Sequence, residues 1–163
     1  MKNKKQTIFT KNFLNSYFLI LTLFILSLDQ ISKYIVIQNL KLGESIPNSG
    51  IFRLTHAQNT GTAFSLFQNQ TDILTIVSFV AIVLIIFIYL SIEKPSKYVY
   101  LSYGLLFGGA LGNLIDRVRL GYVTDFFDVG FWPIFNIADS AISIGIIIML
   151  FNYIIYNKKN EQN

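Results

Sequence analysis

The chain has 163 residues, enough for one compact domain, of which 53% are hydrophobic and only 13% charged. Soluble domains carry roughly 25% charged residues, so water is not the main solvent here. The 13 basic and nine acidic residues leave a formal charge of +4, the lysines flanking apolar runs in a membrane-topology pattern that argues against nucleic acid as a partner, and the lack of cysteine excludes disulfides, thiolate metal sites and a cysteine nucleophile.

Four runs are apolar enough for spanning helices, which need about 20 such residues. Lys2, Lys4, Lys5 and Lys11 lead into the first, residues 13–37. This start imitates a secretory signal, but no small-x-small cleavage site follows and the apolar character resumes beyond Lys33, so the run is expected to stay as an anchor. Asp29 and Lys33 lie in its second half at i, i+4, where they either neutralise each other or reach a substrate. The loop 38–72 holds Gly, Pro and Asn turn signals around one predicted strand, Ile51-Phe52-Arg53-Leu54-Thr55-His56. Spans 73–92 and 98–115 follow, joined by residues 93–97. The loop 116–136 holds a second predicted strand, Gly121-Tyr122-Val123-Thr124-Asp125-Phe126, and Asp128, which reads as a solvated rim residue. The last span is 137–156, ahead of a polar tail that is expected to fray. The expected architecture is an all-α polytopic membrane protein, one integral membrane domain of four transmembrane helices with a small β cradle on the outer leaflet.

Lys and Arg in short loops set orientation. Lys2, Lys4, Lys5, Lys11, Lys94, Lys97, Lys158 and Lys159 fall on one side, and Lys41, Arg53, Arg117 and Arg119 on the other. Eight against four places both termini in the cytoplasm. Seven of the nine acids lie in or near the outer loops, so the polar chemistry is expected at the extracytoplasmic face.

In the third span Gly104, Gly108 and Gly112 recur every four residues. They form a smooth stripe on which a neighbouring backbone can close, and Asp116 is its next position. Gly109, Asn113 and Arg117 form the adjacent stripe. Charged groups at membrane depth are costly and usually functional, so Asn113, Asp116 and Arg117 read either as structural hydrogen bonders or as part of a site. Asp125 sits in the outer loop and Asp139 one turn inside the last span, with Asn136 on the same helical face. Answering the helix dipole would account for Asp139 alone, at under about 1 kcal/mol. Two carboxylates held together cannot both ionise easily. One keeps its proton while the other stays a base, which is what activating water against an amide and protonating the leaving amine requires. A single histidine, His56, and the absence of H-E-x-x-H exclude a zincin, and there is no G-x-S-x-G. A Ser–Lys pair using Lys33 stays open by inventory. His56 is expected to be a structural hydrogen bonder, and no metal or other cofactor is expected.

Five stretches resemble, in order, motifs of the lipoprotein signal peptidases, or signal peptidase II. They are Asp29-Gln30-x-x-Lys33, Asn59-Thr60-Gly61-Thr62-Ala63-Phe64, Gly108-Gly109-Ala110-x-Gly112-Asn113-Leu114-Ile115-Asp116-Arg117, Val123-Thr124-Asp125-Phe126 and Phe135-Asn136-Ile137-Ala138-Asp139-Ser140. Each is weak alone; five in register over nearly the whole chain are specific. The resemblance implies an aspartyl endopeptidase of the bacterial cytoplasmic (inner) membrane. It would cleave the signal peptide of a diacylglyceryl-modified prolipoprotein immediately before the lipidated cysteine. It implies Asp125 and Asp139 as the catalytic pair, Asn59, Asn113, Arg117 and Asn136 as polar positions around them, and Gly61 as a supporting or substrate-binding residue. Asp116, Asp29 and Lys33 are implied as supporting or substrate-binding residues. Thr124 stands where valine is more usual, and the stretch between the two acids is short for the family.

The expected partners are diacylated prolipoprotein and membrane lipid, with no nucleic acid, and the protein is expected to work as a monomer. Phe64, Phe67, Phe126, Phe127, Phe131 and Trp132 are candidates for a lipid groove. The rival class is a small proton-coupled transporter, whose site would lie near the midplane between inverted repeats. The middles of the second and fourth spans are uncharged and no repeat is visible.

Overall fold

Asn15 opens the first helix, α1 (Ser16–Asn39), its side-chain oxygen accepting the Phe18 N–H at 3.3 Å. The computed structural model describes residues 15–61 and 70–160, with side chains to 155. The expectations on Lys2, Lys4, Lys5, Lys11, Phe64 and Phe67, on Thr62 and Ala63, on the side chains of Lys158 and Lys159 and on residues 161–163 lie outside the described residues.

Short strands β1 (Ser45–Ile46) and β2 (Arg53–Asn59) follow, then α2 (Thr71–Ser91), α3 (Lys97–Leu120), β3 (Val123–Asp128) and α4 (Ile137–Asn160). The four helices are long and apolar enough to cross a membrane, and the protein is a polytopic membrane protein. α3 continues to Leu120, five residues beyond the predicted 98–115, and so carries Asp116 and Arg117 on the helix itself. The drop in hydropathy there comes partly from Asp116, which is buried, and Arg117, which is half-buried, and does not mark the end of the helix. The helix stops at Gly121, whose φ of 78° suits glycine and whose N–H donates to the Arg117 carbonyl at 3.1 Å.

α3 is the central helix. Half of its apolar stretch is buried by neighbours, against 17 to 22% for the other three. Its glycines make this possible. A Cβ on Gly104 would meet Leu21 at 3.2 Å, and one on Gly108 would meet the Thr22 carbonyl at 2.9 Å. One on Gly112 would strike the Asp29 carboxylate. This stripe faces α1 throughout, while Gly109 on the adjacent stripe faces Ala138 of α4. In lipid such close packing takes the place of the hydrophobic drive.

At one end of the bundle Phe18, Tyr89 and Tyr103 form an aromatic core. At the other sits a three-stranded antiparallel sheet of order β1-β2-β3, joined to the helices through Val36, Leu40, Phe126 and Ile137. β2 is offset from the predicted strand because its register shifts between Leu54 and Ala57, which turns both Thr55 and His56 inward.

Candidate active site

α4 begins with a reciprocal cap. The Asp139 N–H donates to Asn136 Oδ1 at 2.9 Å, and the Asn136 N–H donates to Asp139 Oδ2 at 3.2 Å. This capping box satisfies two N–H groups that a helix start leaves free. Helix-start chemistry therefore accounts for part of Asp139, and the other contacts go beyond it. Asn136 Nδ2 also reaches Asp125 Oδ1 at 2.7 Å, Asn113 Oδ1 at 3.1 Å and the Thr124 carbonyl at 3.3 Å. One residue thus holds both acids, Asp125 by its side chain and Asp139 by its main chain.

The other oxygens are held too. Asn59 Nδ2 donates to Asp125 Oδ2 at 2.9 Å and Asn113 Nδ2 to Asp139 Oδ1 at 2.8 Å. The sheet explains the first bond. Asn59 lies opposite Val123 and Ala57 opposite Asp125, so Asn59 and Asp125 are diagonal neighbours on one face. The Gly61 N–H caps Asn59 Oδ1 at 2.9 Å, aiming the amide hydrogens at Asp125.

Asp125 is 2% exposed. Burial pushes its carboxyl up to about 7 and the negative charge of Asp139 adds to the rise, against the opposing pull of the Asn59 and Asn136 hydrogen bonds and the Lys33 charge. It therefore keeps its proton to near neutrality. Arg117 leans from α3 toward Ser78 Oγ at 3.3 Å and the Gly61 carbonyl at 3.5 Å, its charge acting first on Asp139, then on Asp125 and Asp116. Deeper in the bundle Lys33 pairs with Asp29 at 2.8 Å and with Asp116 at 3.1 Å.

A cavity of about 310 Å³ opens onto this cluster, walled by Asn59, Asn113, Arg117, Trp132, Asp139 and Ser143 among others. A second, about 300 Å³, shares Trp132, Phe135, Asp139 and Ser143 and runs on to Ile144. The roomier cavity of about 790 Å³ lies elsewhere, between Tyr17, Phe24 and Lys97, and no acid lines it. Chemistry, not volume, selects the smaller pair.

The sequence pattern of the family described as Signal peptidase (SPase) II matches residues 21–155. The lipoprotein signal peptidase of Moorella thermoacetica is 44% identical over 133 residues, 81% of this chain and 89% of that one. That of Enterococcus faecalis is 45% identical over 150 residues, 88% and 89% of the two chains. A solved bacterial membrane enzyme, 30% identical, superposes with a TM-score of 0.79 over 86% of this chain and 89% of its own. The chain belongs to the signal peptidase II family.

Members of signal peptidase II are aspartic peptidases, and the structure brings most of the residues expected for such a site together. Asn59, Asn113, Asn136, Asp125 and Asp139 share one hydrogen-bond network, with Arg117 and Gly61 at its edge. Asp29, Lys33 and Asp116 join it from below. None of the three lines the cavity. Asp128 departs from its expectation. It is 5% exposed, accepting from Arg53 Nη2 at 2.7 Å, Thr55 Oγ1 at 2.9 Å and the Gly130 N–H at 2.9 Å. Its cation partner lies 75 residues away, out of reach of any local pattern. Of the aromatic groove candidates, Trp132 lines the cavity, Phe131 is 85% exposed, and Phe126 is core packed with Val36 and Leu40. His56 is structural, Nδ1 lying 2.9 Å from the Leu40 carbonyl.

Sequence reading missed two contributors. Gln30 Nε2 reaches Asp29, Asp116 and the Gly112 carbonyl at 3.0 to 3.2 Å. Its place beside Asp29 in the first motif was a signal. Ser78 on α2 meets Arg117, but a serine in an apolar span ordinarily bonds its own helix, as Ser78 also does to Leu74 at 2.7 Å, so no signal marked it.

Proposed function

We propose that Asp125 and Asp139 are the catalytic pair with which this signal peptidase II removes the signal peptide of diacylglyceryl-modified prolipoproteins, immediately before the lipidated cysteine. The observation that carries the reading is Asn136, which ties both carboxylates into one unit. Asp139, in the cavity wall, takes the proton of a water that attacks the scissile carbonyl carbon. Asp125 gives its proton to the carbonyl oxygen. The tetrahedral intermediate then collapses as Asp125 takes back the proton of one hydroxyl, the leaving amine collects a proton from Asp139 and the C–N bond breaks. Arg117, Asn59 and Asn113 orient the peptide. The cavity's apolar wall around Trp132 and Ile142 receives the substrate beside its lipid.

The whole chain acts as one membrane domain, as a monomer, in the bacterial inner membrane, with lipid around it and no nucleic acid partner. Both termini are cytoplasmic and the sheet end is extracytoplasmic, as the loop lysines favour. Purified protein incubated with a diacylated prolipoprotein should release a product whose mass marks a cut before the lipidated cysteine. A cut elsewhere, or none, refutes the reading. Since the chain has no cysteine, Asn48→Cys should react with an impermeant thiol reagent from outside intact cells and Glu93→Cys should not. The reverse pattern inverts the topology.

A further inference from the structure

Lys33 is 2% exposed, Asp29 0% and Asp116 4%, so all three are sealed from the cavity. The ammonium has three hydrogens and the structure uses each, on Asp29 Oδ2 at 2.8 Å, Asp116 Oδ2 at 3.1 Å and Asn113 Oδ1 at 3.0 Å. The carboxylates do more than balance it. Asp116 Oδ2 accepts the N–H of Thr124 at 3.0 Å, and Asp29 Oδ1 accepts the N–H of Ala138 at 2.9 Å. Thr124 is the residue before Asp125, and Ala138 the residue before Asp139.

We propose that Lys33, Asp29 and Asp116 are positioning residues that set the separation of the two acids, each carboxylate gripping the peptide unit in front of one of them while Lys33 clamps both. The proposal rests on the reading that Asp125 and Asp139 are the catalytic pair. Neutralisation in lipid would need only Asp29 and Lys33, one turn apart on α1. Asp116 makes two carboxylates to one ammonium, an imbalance that is costly to bury unless other donors complete it. The Thr124 and Ala138 N–H groups and the Gln30 amide are those donors, and two of the three belong to the segments bearing the acids. The third arm, Asn113, passes the clamp to Asp139 directly.

The test is Lys33→Met, purified in detergent and assayed on a diacylated prolipoprotein peptide. A misplacement near 1 Å costs about 100-fold in rate, so kcat should fall by about that while KM stays within about threefold. The alkaline limb of the pH profile should also move up. Asp125 faces Asn59 from β2, Arg117 from α3, and Asn136 and Asp139 at the start of α4, and removing the Lys33 charge takes away one of the influences that favour its ionised form. A loss that only tracks the folded fraction, with the limb unmoved, overturns the proposal. If Lys33→Met does not fold, Asp116→Asn and Asp116→Ala decide it per folded molecule. Asn keeps an oxygen for Thr124 and should stay within about tenfold of wild type, whereas Ala should lose about 100-fold. Equal activity in the two overturns the proposal. Asp125→Asn runs alongside. If it is active, the catalytic pair itself is wrong; if it is dead while Lys33→Met is unaffected, only the positioning role falls.

Discussion

At one end of the bundle the rings of Phe18 and Tyr89 stack with centroids 4.5 Å apart, and Tyr103 leans on Tyr89 at 5.4 Å. At the other end α1 and α3, which carry Phe18 and Tyr103 against the Tyr89 ring of α2, meet through Lys33, Asp29, Asp116 and Asn113. Both interiors are buried. The aromatic end fills space with dispersion contacts that tolerate small shifts and do not depend on protonation. The polar end is held by directional bonds, each of which names its partner and its charge state. One pair of helices is therefore a frame at one end and a site at the other. What separates the two uses is the kind of side chain, not the backbone. Changes at the two ends should separate cleanly into loss of chemistry and loss of stability.

The largest effect belongs to the acids. Asp125→Asn and Asp139→Asn should each lower kcat by at least about 10³-fold, and the double variant should be no worse than either, because groups that act as one unit are lost together. Both should stay folded, since Asn keeps the shape and its one oxygen can still accept from one of the two donors that hold each acid. Quantified cleavage of a diacylated substrate, with melting temperature in the same detergent, checks this. Substantial turnover by either single variant would break the comparison at its polar end.

The aromatic end should give the opposite result. Tyr89 is 1% exposed, and Tyr89→Ala should cost about 3 kcal/mol of stability, the low end for such truncations because lipid supplies no hydrophobic drive. Per folded molecule, kcat should not change. Chemical or thermal unfolding followed beside activity would show it. A fall in kcat at full folding would mean that the two ends are coupled along α1 and α3.

The frame was far more legible in the sequence than the clamp. Four apolar runs are long-range signals that need no partner to be recognised, and the glycine stripe announced the face of α3 that α1 occupies. Local pattern failed where partners are distant. α3 seemed to end at its charged residues because hydropathy cannot tell an inward charge from a solvated one. β2 was misplaced because its bulge breaks alternation at Thr55 and His56. Lys33 meets Asn113 across 80 residues and Asp29 meets Ala138 across 109, separations no motif spacing encodes. The order of the motifs singled out Asp125 and Asp139 without revealing that Asn136 joins them.

Protonation should sharpen the contrast. In the folded protein Asp125 holds its proton to about pH 7, against 3.8 for an ordinary aspartate. Below that ordinary value both folded and unfolded chains are protonated. As pH rises the unfolded chain releases the proton first, so stability present in acid is lost progressively until the folded Asp125 also ionises, and it is flat above that. Melting temperature should decline from about pH 4 to about pH 7 and then level, and Asp125→Asn should flatten the curve. Activity should fall above about pH 7 as the proton that Asp125 contributes is lost. Tyr89→Ala should lower the whole stability curve without changing its slope in this window.

The smallest effect tests how far the polar end is optimised. Thr124 is 0% exposed, and its main chain is fully used: its N–H goes to Asp116, and its carbonyl accepts from Asn136. Its hydroxyl oxygen, among the described residues, has no partner. Valine has nearly the same shape and leaves both main-chain bonds intact. Removing an unsatisfied buried hydroxyl should therefore return about 1 kcal/mol. For a chain of this size that is a rise of about 2–4 °C in melting temperature. Cleavage should stay near the wild-type rate, because only the peptide unit of Thr124 takes part in holding Asp125. A lower melting temperature for Thr124→Val would mean that the hydroxyl is bonded after all, and Thr124 would then belong to the directional network by its side chain as well as its backbone.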